Sequence, residues 1–181
     1  MSKWDARFLR LAKEVSTWSK DRSTQVGAVI VGEDRTPGPY GYNGFPRYID
    51  DEKEERHARP TKYDWTEHAE RNAIYNAARM GVPLKGGTIY VTHVPCTDCA
   101  RAIIQVGIKR VVTDASCMEG GFAERWSEAA ETTREMLAEA GPIDGLLIAS
   151  PANPTGTMLI GQPLTEIVDY CNREGVRLIS D

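Results

Sequence analysis

The chain has 181 residues, room for one domain of ordinary size and a short appendage, and it is long enough to bury a sizeable core. Apolar residues make up 41% and charged residues 27%, which excludes a disordered, collagenous or coiled-coil chain. Twenty-two basic and 26 acidic residues leave a net charge of −4, split as 20 − 21 = −1 over residues 1–140 and 2 − 5 = −3 over 141–181, so the basic excess that nucleic-acid phosphates demand is missing. A long nucleic acid is therefore not an expected partner, whereas a small substrate with one phosphate remains open. No run of eighteen apolar residues occurs and Met1–Asp5 lacks a signal-peptide stretch, so no membrane partner and a cytoplasmic location are expected.

In chain order, residues 3–20 read as an amphipathic helix with Phe8, Leu11, Val15 and Trp18 at spacings of three and four. Val26–Val31 is a short apolar strand, and Tyr40–Tyr42 begins a second after a turn at Pro37-Gly38-Pro39. Residues 48–64 are polar and highly charged, as in a surface loop or insertion. A helix is predicted over Thr66–Met80, stopped by Gly81 and Pro83; then a strand over Thr88–Thr92, a helix over Thr97–Val106 and a strand over Arg110–Thr113. Ala123–Ala140 reads as a helix, Leu146–Ala149 as a strand, 163–174 as a helix and 176–179 as a last strand. Strands alternating with helices point to a layered α/β fold.

Three segments at the junctions of these elements carry chemistry: Gly41-Tyr42-Asn43-Gly44-Phe45-Pro46, His68-Ala69-Glu70 and Pro95-Cys96-Thr97-Asp98-Cys99. Cysteines three apart at a helix start share one face, and the positive helix end favours their thiolates, the form that binds metal. Two thiolates and one imidazole supply three ligands to a tetrahedral zinc and leave a fourth position for water, whose pKa zinc lowers to about 7. In mid-helix, residues two apart diverge by roughly 200°. In a first turn, however, His68 and Glu70 can both reach past the helix end, one to a metal and the other to move protons, a role worth roughly 10²–10⁴ in rate. A CxxC pair alone also suits a redox couple or half of a structural zinc site. An HxE alone is usually surface decoration. Together, each at a helix start, they match the zinc-deaminase signature H-x-E…P-C-x-x-C.

On these segments residues 1–140 resemble the deoxycytidylate (dCMP) deaminases of the zinc-dependent cytidine deaminase superfamily. Ser19-Lys20-Asp21, Ser23–Ala28, Lys62-Tyr63, Asn72-Ala73-Ile74, Leu84-Lys85-Gly86 and Ile103–Ile108 carry the likeness further. It implies a three-layer α/β/α fold with a mixed sheet, and zinc-dependent hydrolysis of dCMP to dUMP and ammonia. Carried over by position, His68, Cys96 and Cys99 hold zinc and Glu70 is the catalytic proton carrier. Asn43 would bind the sugar and the Ala69 backbone the base, while Lys20, Ser23, Arg47 and Lys62 are candidates near the expected mouth for the phosphate. Some members hold a second, structural zinc through Cys and His ahead of the HxE helix. Residues 44–67 hold His57 and no Cys, so one zinc per chain is expected and His57 is read as a solvated loop residue. His93, just ahead of Pro95-Cys96, is read either as lining the pocket or as a partly exposed strand-end residue, and Arg71 stands where members often carry an apolar residue. The resemblance also implies a homo-oligomer, hexamer or dimer, with dCTP and dTTP as effectors. Alternatives are a deaminase of another base (cytosine, guanine or a tRNA adenosine) and a non-catalytic nucleotide-binding module; GYNGFP with Lys62-Tyr63 and the intact Glu70 favour an active dCMP enzyme.

Residues 141–181 differ in kind. Asp144–Met158, with its Asn153-Pro154-Thr155-Gly156, and Gly175–Asp181 resemble fold-type I aminotransferases, in which the Asn and the closing Asp (here Asn153 and Asp181) contact pyridoxal phosphate. The last lysine is Lys109, so this segment cannot form a Schiff base. It is expected to be a fusion or truncation remnant, a non-catalytic appendage.

Overall fold

The computed structural model describes residues 2–113 and 131–140, and the backbone of 146–147 and 178–179. Helix α1 (Lys3–Ser16) starts on a capping box: the Ser2 hydroxyl accepts from the Asp5 N–H at 3.1 Å and the Ser2 N–H donates to Asp5 Oδ2 at 2.9 Å. Strands β1 (Gly27–Val31) and β2 (Pro37–Tyr42) form an antiparallel pair. A 3₁₀ turn (Glu54–Arg56) and the four-residue helix α2 (Lys62–Trp65) lead to α3 (Ala69–Met80), closed by Gly81 at φ 69°, the left-handed geometry that suits glycine. Then come β3 (Thr88–Val91), α4 (Thr97–Gln105) and β4 (Arg110–Thr113), helical residues 131–139, and the two-residue strands β5 (Leu146–Leu147) and β6 (Leu178–Ile179).

The sheet runs β2-β1-β3-β4-β5-β6, antiparallel on both sides of β1 and parallel from β3 onward, so it is mixed. The described strands β1, β3 and β4 read as near-continuous apolar runs because both faces are covered. Ala28, Ile30, Ile89, Val91 and Val111 pack with α3 and α4 on one face. Val29, Val31, Tyr90 and Val112 meet Phe8, Leu9, Ala12 and Val15 of α1 on the other. This is a three-layer α/β/α arrangement. Two glycines allow the layers to approach closely: a Cβ on Gly27 would lie 2.1 Å from the Ala12 carbonyl oxygen, and one on Gly41 would lie 2.4 Å from that of Ala69. At the outer edge, the Tyr42 and Tyr40 carbonyls accept from the amides of Asn72 and Asn76, one turn apart on α3. Among the described residues no helix is long and apolar enough to cross a membrane.

Several local expectations are corrected. Helix α1 ends at Ser16, and its covered stripe is Asp5-Phe8-Leu9-Ala12-Val15-Ser16. Leu11 and Trp18 are 40% and 47% exposed, and Trp18 meets Tyr40 and Tyr42 edge-on. Pro37-Gly38-Pro39 is not a turn but the start of β2; an edge strand tolerates proline because the missing N–H need not serve a second neighbour. The charged 48–64 segment is not solvated throughout, since it contains α2 and Lys62 is buried. The parts of the predicted helices and strands within 114–130, 148–150 and 151–177 lie outside the described residues, as do Cys117, Cys171, Asn153 and Asp181.

Candidate functional site

The helix start at α3 falls at Ala69 rather than Thr66 because Glu67 is held in an extended bridge. Its N–H donates to the Gly44 carbonyl at 2.9 Å and its own carbonyl accepts from the Gly44 N–H at 3.1 Å. His68 is thus the N-cap of α3 and Cys96 the N-cap of α4. An N-cap side chain ordinarily accepts from its own helix. Neither does so here, and the two face each other instead. His68 Nδ1 lies 3.4 Å from Cys96 Sγ and 3.5 Å from Cys99 Sγ, and all three atoms lie within 4.8 Å of one another. A tetrahedral zinc with ordinary Zn–N and Zn–S bond lengths separates its nitrogen and sulfur ligands by about 3.6 Å. The donor set and its spacing therefore fit zinc.

The charges fit as well. The hydrogen bond from Cys99, joined by His68, holds the Cys96 thiol down to about 4 against the opposing effect of burial. Cys99 is pushed up by sharing its proton with Cys96 and by burial, and the thiolate of Cys96 holds the His68 imidazole above its ordinary value. Glu70, one residue into α3, is buried against Cys99. Burial raises its carboxyl above the ordinary range, the condition a group needs to take up and release a proton near neutral pH. The Arg71 guanidinium stands 3.7 Å from Asp98 of α4 and bonds Glu67 at 2.6 Å. Glu67 went unnoticed in the sequence: its four-residue spacing to Arg71 was a readable signal, whereas its bond to the His68 N–H depends on where the helix starts.

The remaining predicted residues are more dispersed. Asn43 is buried: its Oδ1 accepts from the Val26 N–H at 2.7 Å and its Nδ2 donates to the Thr24 carbonyl at 2.9 Å, so its amide fastens the strand β1 approach. Ala69 is fully buried at the start of α3. Lys20 is exposed on a cleft of about 90 Å³ that also touches Asp21, Phe45, His57 and Thr66, and pairs with Asp51 at 2.9 Å and Glu52 at 3.0 Å. Ser23 donates to Asp21 and accepts from Lys62 Nζ, each at 2.8 Å, and Lys62 reaches Asp21 at 2.7 Å. Arg47 bonds Asn76 of α3. His57 is not simply solvated, since it stacks on Phe45 with centroids 4.8 Å apart and its Nε2 lies 2.7 Å from the Asp51 carbonyl. The Thr92 hydroxyl and His93 Nδ1 lie 3.3 Å apart.

Comparison with known proteins agrees with this geometry. The family model described as "Cytidine and deoxycytidylate deaminase zinc-binding region" matches residues 2–115, and "Aminotransferase class I and II" matches residues 110–181. An uncharacterized deaminase from the luxG 3' region of Aliivibrio fischeri is 43% identical over 141 residues, 78% of this chain and 91% of that protein. The deoxycytidylate deaminase of Mus musculus is 34% identical over 139 residues, 74% of this chain and 72% of that protein. Among solved structures, the apo dCMP deaminase of cyanophage S-TIM5 is 27% identical with a TM-score of 0.54, covering 63% of this chain and 85% of that one. The same phage enzyme in complex with dCMP and dUMP shares the fold at a TM-score of 0.57 and 20% identity, over 100% of this chain and 99% of that one. With the donor set, the fold and residues 2–115 all in agreement, the chain belongs to the zinc-binding cytidine and deoxycytidylate deaminases.

Proposed function

We infer that the protein is a zinc-dependent hydrolase that converts dCMP to dUMP and ammonia. The observation that carries this reading is the convergence of His68 Nδ1 with two thiol sulfurs at tetrahedral spacing, beside the buried carboxyl of Glu70. His68, Cys96 and Cys99 would hold one zinc per chain, whose chemistry is to make a water acidic enough to attack near neutral pH. Glu70 takes a proton from the attacking water and delivers it to ring N3, so that C4 becomes electrophilic. It then carries the second proton to the departing amine, and C4–N cleavage releases ammonia as the C4 carbonyl forms. The Ala69 backbone orients the base and Asn43 the sugar.

Deoxycytidylate as the substrate is supported by relatives named for that activity, among them the mouse enzyme and the human one, which is 38% identical over 114 residues. Lys20, on the cleft, and Lys62, bonded to Asp21 at its wall, differ in what they can offer a phosphate. The pairs of Lys20 are solvated and weak, so a phosphate can replace Asp51 and Glu52. Lys62 is committed to a covered carboxylate, and Ser23 sits between the two as an orienting hydroxyl. The reading extends to a cytoplasmic homo-oligomer, hexamer or dimer, with dCTP and dTTP as effectors, and to residues 141–181 as an appendage without catalytic role. Its support is family membership and the lack of lysine after Lys109. The test is spectrophotometric turnover of dCMP, CMP, dCTP and cytidine by the zinc-loaded protein: dCMP is expected to lead, and equal turnover of cytidine would sink the nucleotide assignment.

A further inference from the structure

The start of α3 is capped in an unusual order. In a capping box the third helical residue reaches back with an acceptor to the N-cap N–H, as Asp5 does for Ser2 in α1. In α3 that third residue is Arg71, which has no acceptor to offer. The acceptor comes from the residue before the cap: Glu67 Oε1 takes the His68 N–H at 2.9 Å and the Arg71 Nε at 2.6 Å. One carboxylate oxygen therefore joins the backbone of a predicted metal ligand to a cation one turn along. The same residue is fixed by two backbone bonds to Gly44, so it has little freedom to shift.

Arg71 then extends to the second helix. Its Nη1 lies 3.7 Å from Asp98, which sits between Cys96 and Cys99 in the first turn of α4. The Arg71 side chain is only 26% exposed, so the ion pair with Glu67 is largely covered.

We propose that Glu67 is a positioning residue for the metal centre, acting through His68 and Arg71 to hold the starts of α3 and α4 at ligating distance. This rests on the zinc-site reading above and adds to it a residue that touches neither metal nor substrate. Outer partners of this kind typically change metal affinity by about 10–100-fold.

The test uses the full chain and measures zinc affinity by competition with a chromophoric chelator, together with the visible spectrum of the cobalt(II)-loaded protein. Glu67→Ala is expected to weaken zinc binding by about 10–100-fold and to shift the cobalt–thiolate bands. Glu67→Gln keeps an oxygen for both donors and is expected to restore affinity toward the wild-type value. Arg71→Met is expected to weaken zinc binding by about tenfold with unchanged far-ultraviolet circular dichroism. Wild-type affinity in Glu67→Ala, or a Glu67→Gln variant as weak as Glu67→Ala, would overturn the proposal. Should Glu67→Ala fail to fold, Arg71→Met decides, and unchanged affinity there overturns it equally. Wild-type protein that holds neither ion would overturn the zinc reading and this proposal with it.

Discussion

The ammonium of Lys62 lies 2.7 Å from the carboxylate of Asp21, and their side chains are only 11% and 9% exposed. Burial pushes Asp21 up, but Lys62 and the backbone amides of Ser23 and Thr24 more than reverse this and bring it down to about 2. A carboxyl depressed in the folded state binds fewer protons there than in the unfolded chain, where it titrates near 4. Its contribution, about 2 kcal/mol at neutral pH, is complete above pH 4 and is lost as pH falls from about 4 to about 2. Asp21→Asn leaves Lys62 covered and unpaired, at an expected cost of about 3 kcal/mol at pH 7. Urea unfolding of the metal-free protein should show the gap to wild type narrowing between pH 5 and pH 2.5; a gap constant with pH would contradict the assignment.

Removing the carboxyl at Glu70 separates proton transfer from metal binding. Glu70→Ala is expected to lower dCMP turnover at least about 10²-fold while zinc content stays at the wild-type level. Loss of zinc in this variant would mean that the carboxyl supports the metal centre rather than the chemistry.

Zinc content and thermal stability should change together. Elemental analysis is expected to give one zinc per chain, and His68→Ala or Cys99→Ser to give far less. A ligand present at a hundred times its dissociation constant stabilises the folded state by about 2.7 kcal/mol, so chelation should lower Tm by several degrees. Two zinc ions per chain would contradict the single-site reading.

Lys20→Ala addresses the phosphate. A charge-assisted hydrogen bond is worth about 1.5–3 kcal/mol, so KM for dCMP should rise about 10–100-fold while turnover of cytidine is unchanged. Equal effects on nucleotide and nucleoside would place Lys20 outside phosphate recognition.

Much of this architecture could be read from the chain because the determining forces are local. β4 falls on Arg110–Thr113 as predicted, and the two helix starts lie within a few residues of HAE and PCTDC. Long-range contacts account for the differences. Trp18 continues the spacing of α1, but its ring turns to Tyr40 and Tyr42 on the edge strand. The prolines of β2 signal a turn until one knows that the strand has a single neighbour. Lys62 sits in a charged run yet is buried, because its partner lies 41 residues upstream. The four-residue spacing of Glu67 and Arg71 is legible in the chain, but the bridge that fixes Glu67 to Gly44 is encoded by neither spacing nor composition.

Asn72 and Asn76 occupy the outward carbonyls of β2, so accretion of further strands on that flank is obstructed. The opposite flank, past β4, carries β5 and β6, both from the stretch that matches aminotransferases. A sheet plugged along one margin can widen only at the other, at the greatest lateral distance from its bolted side.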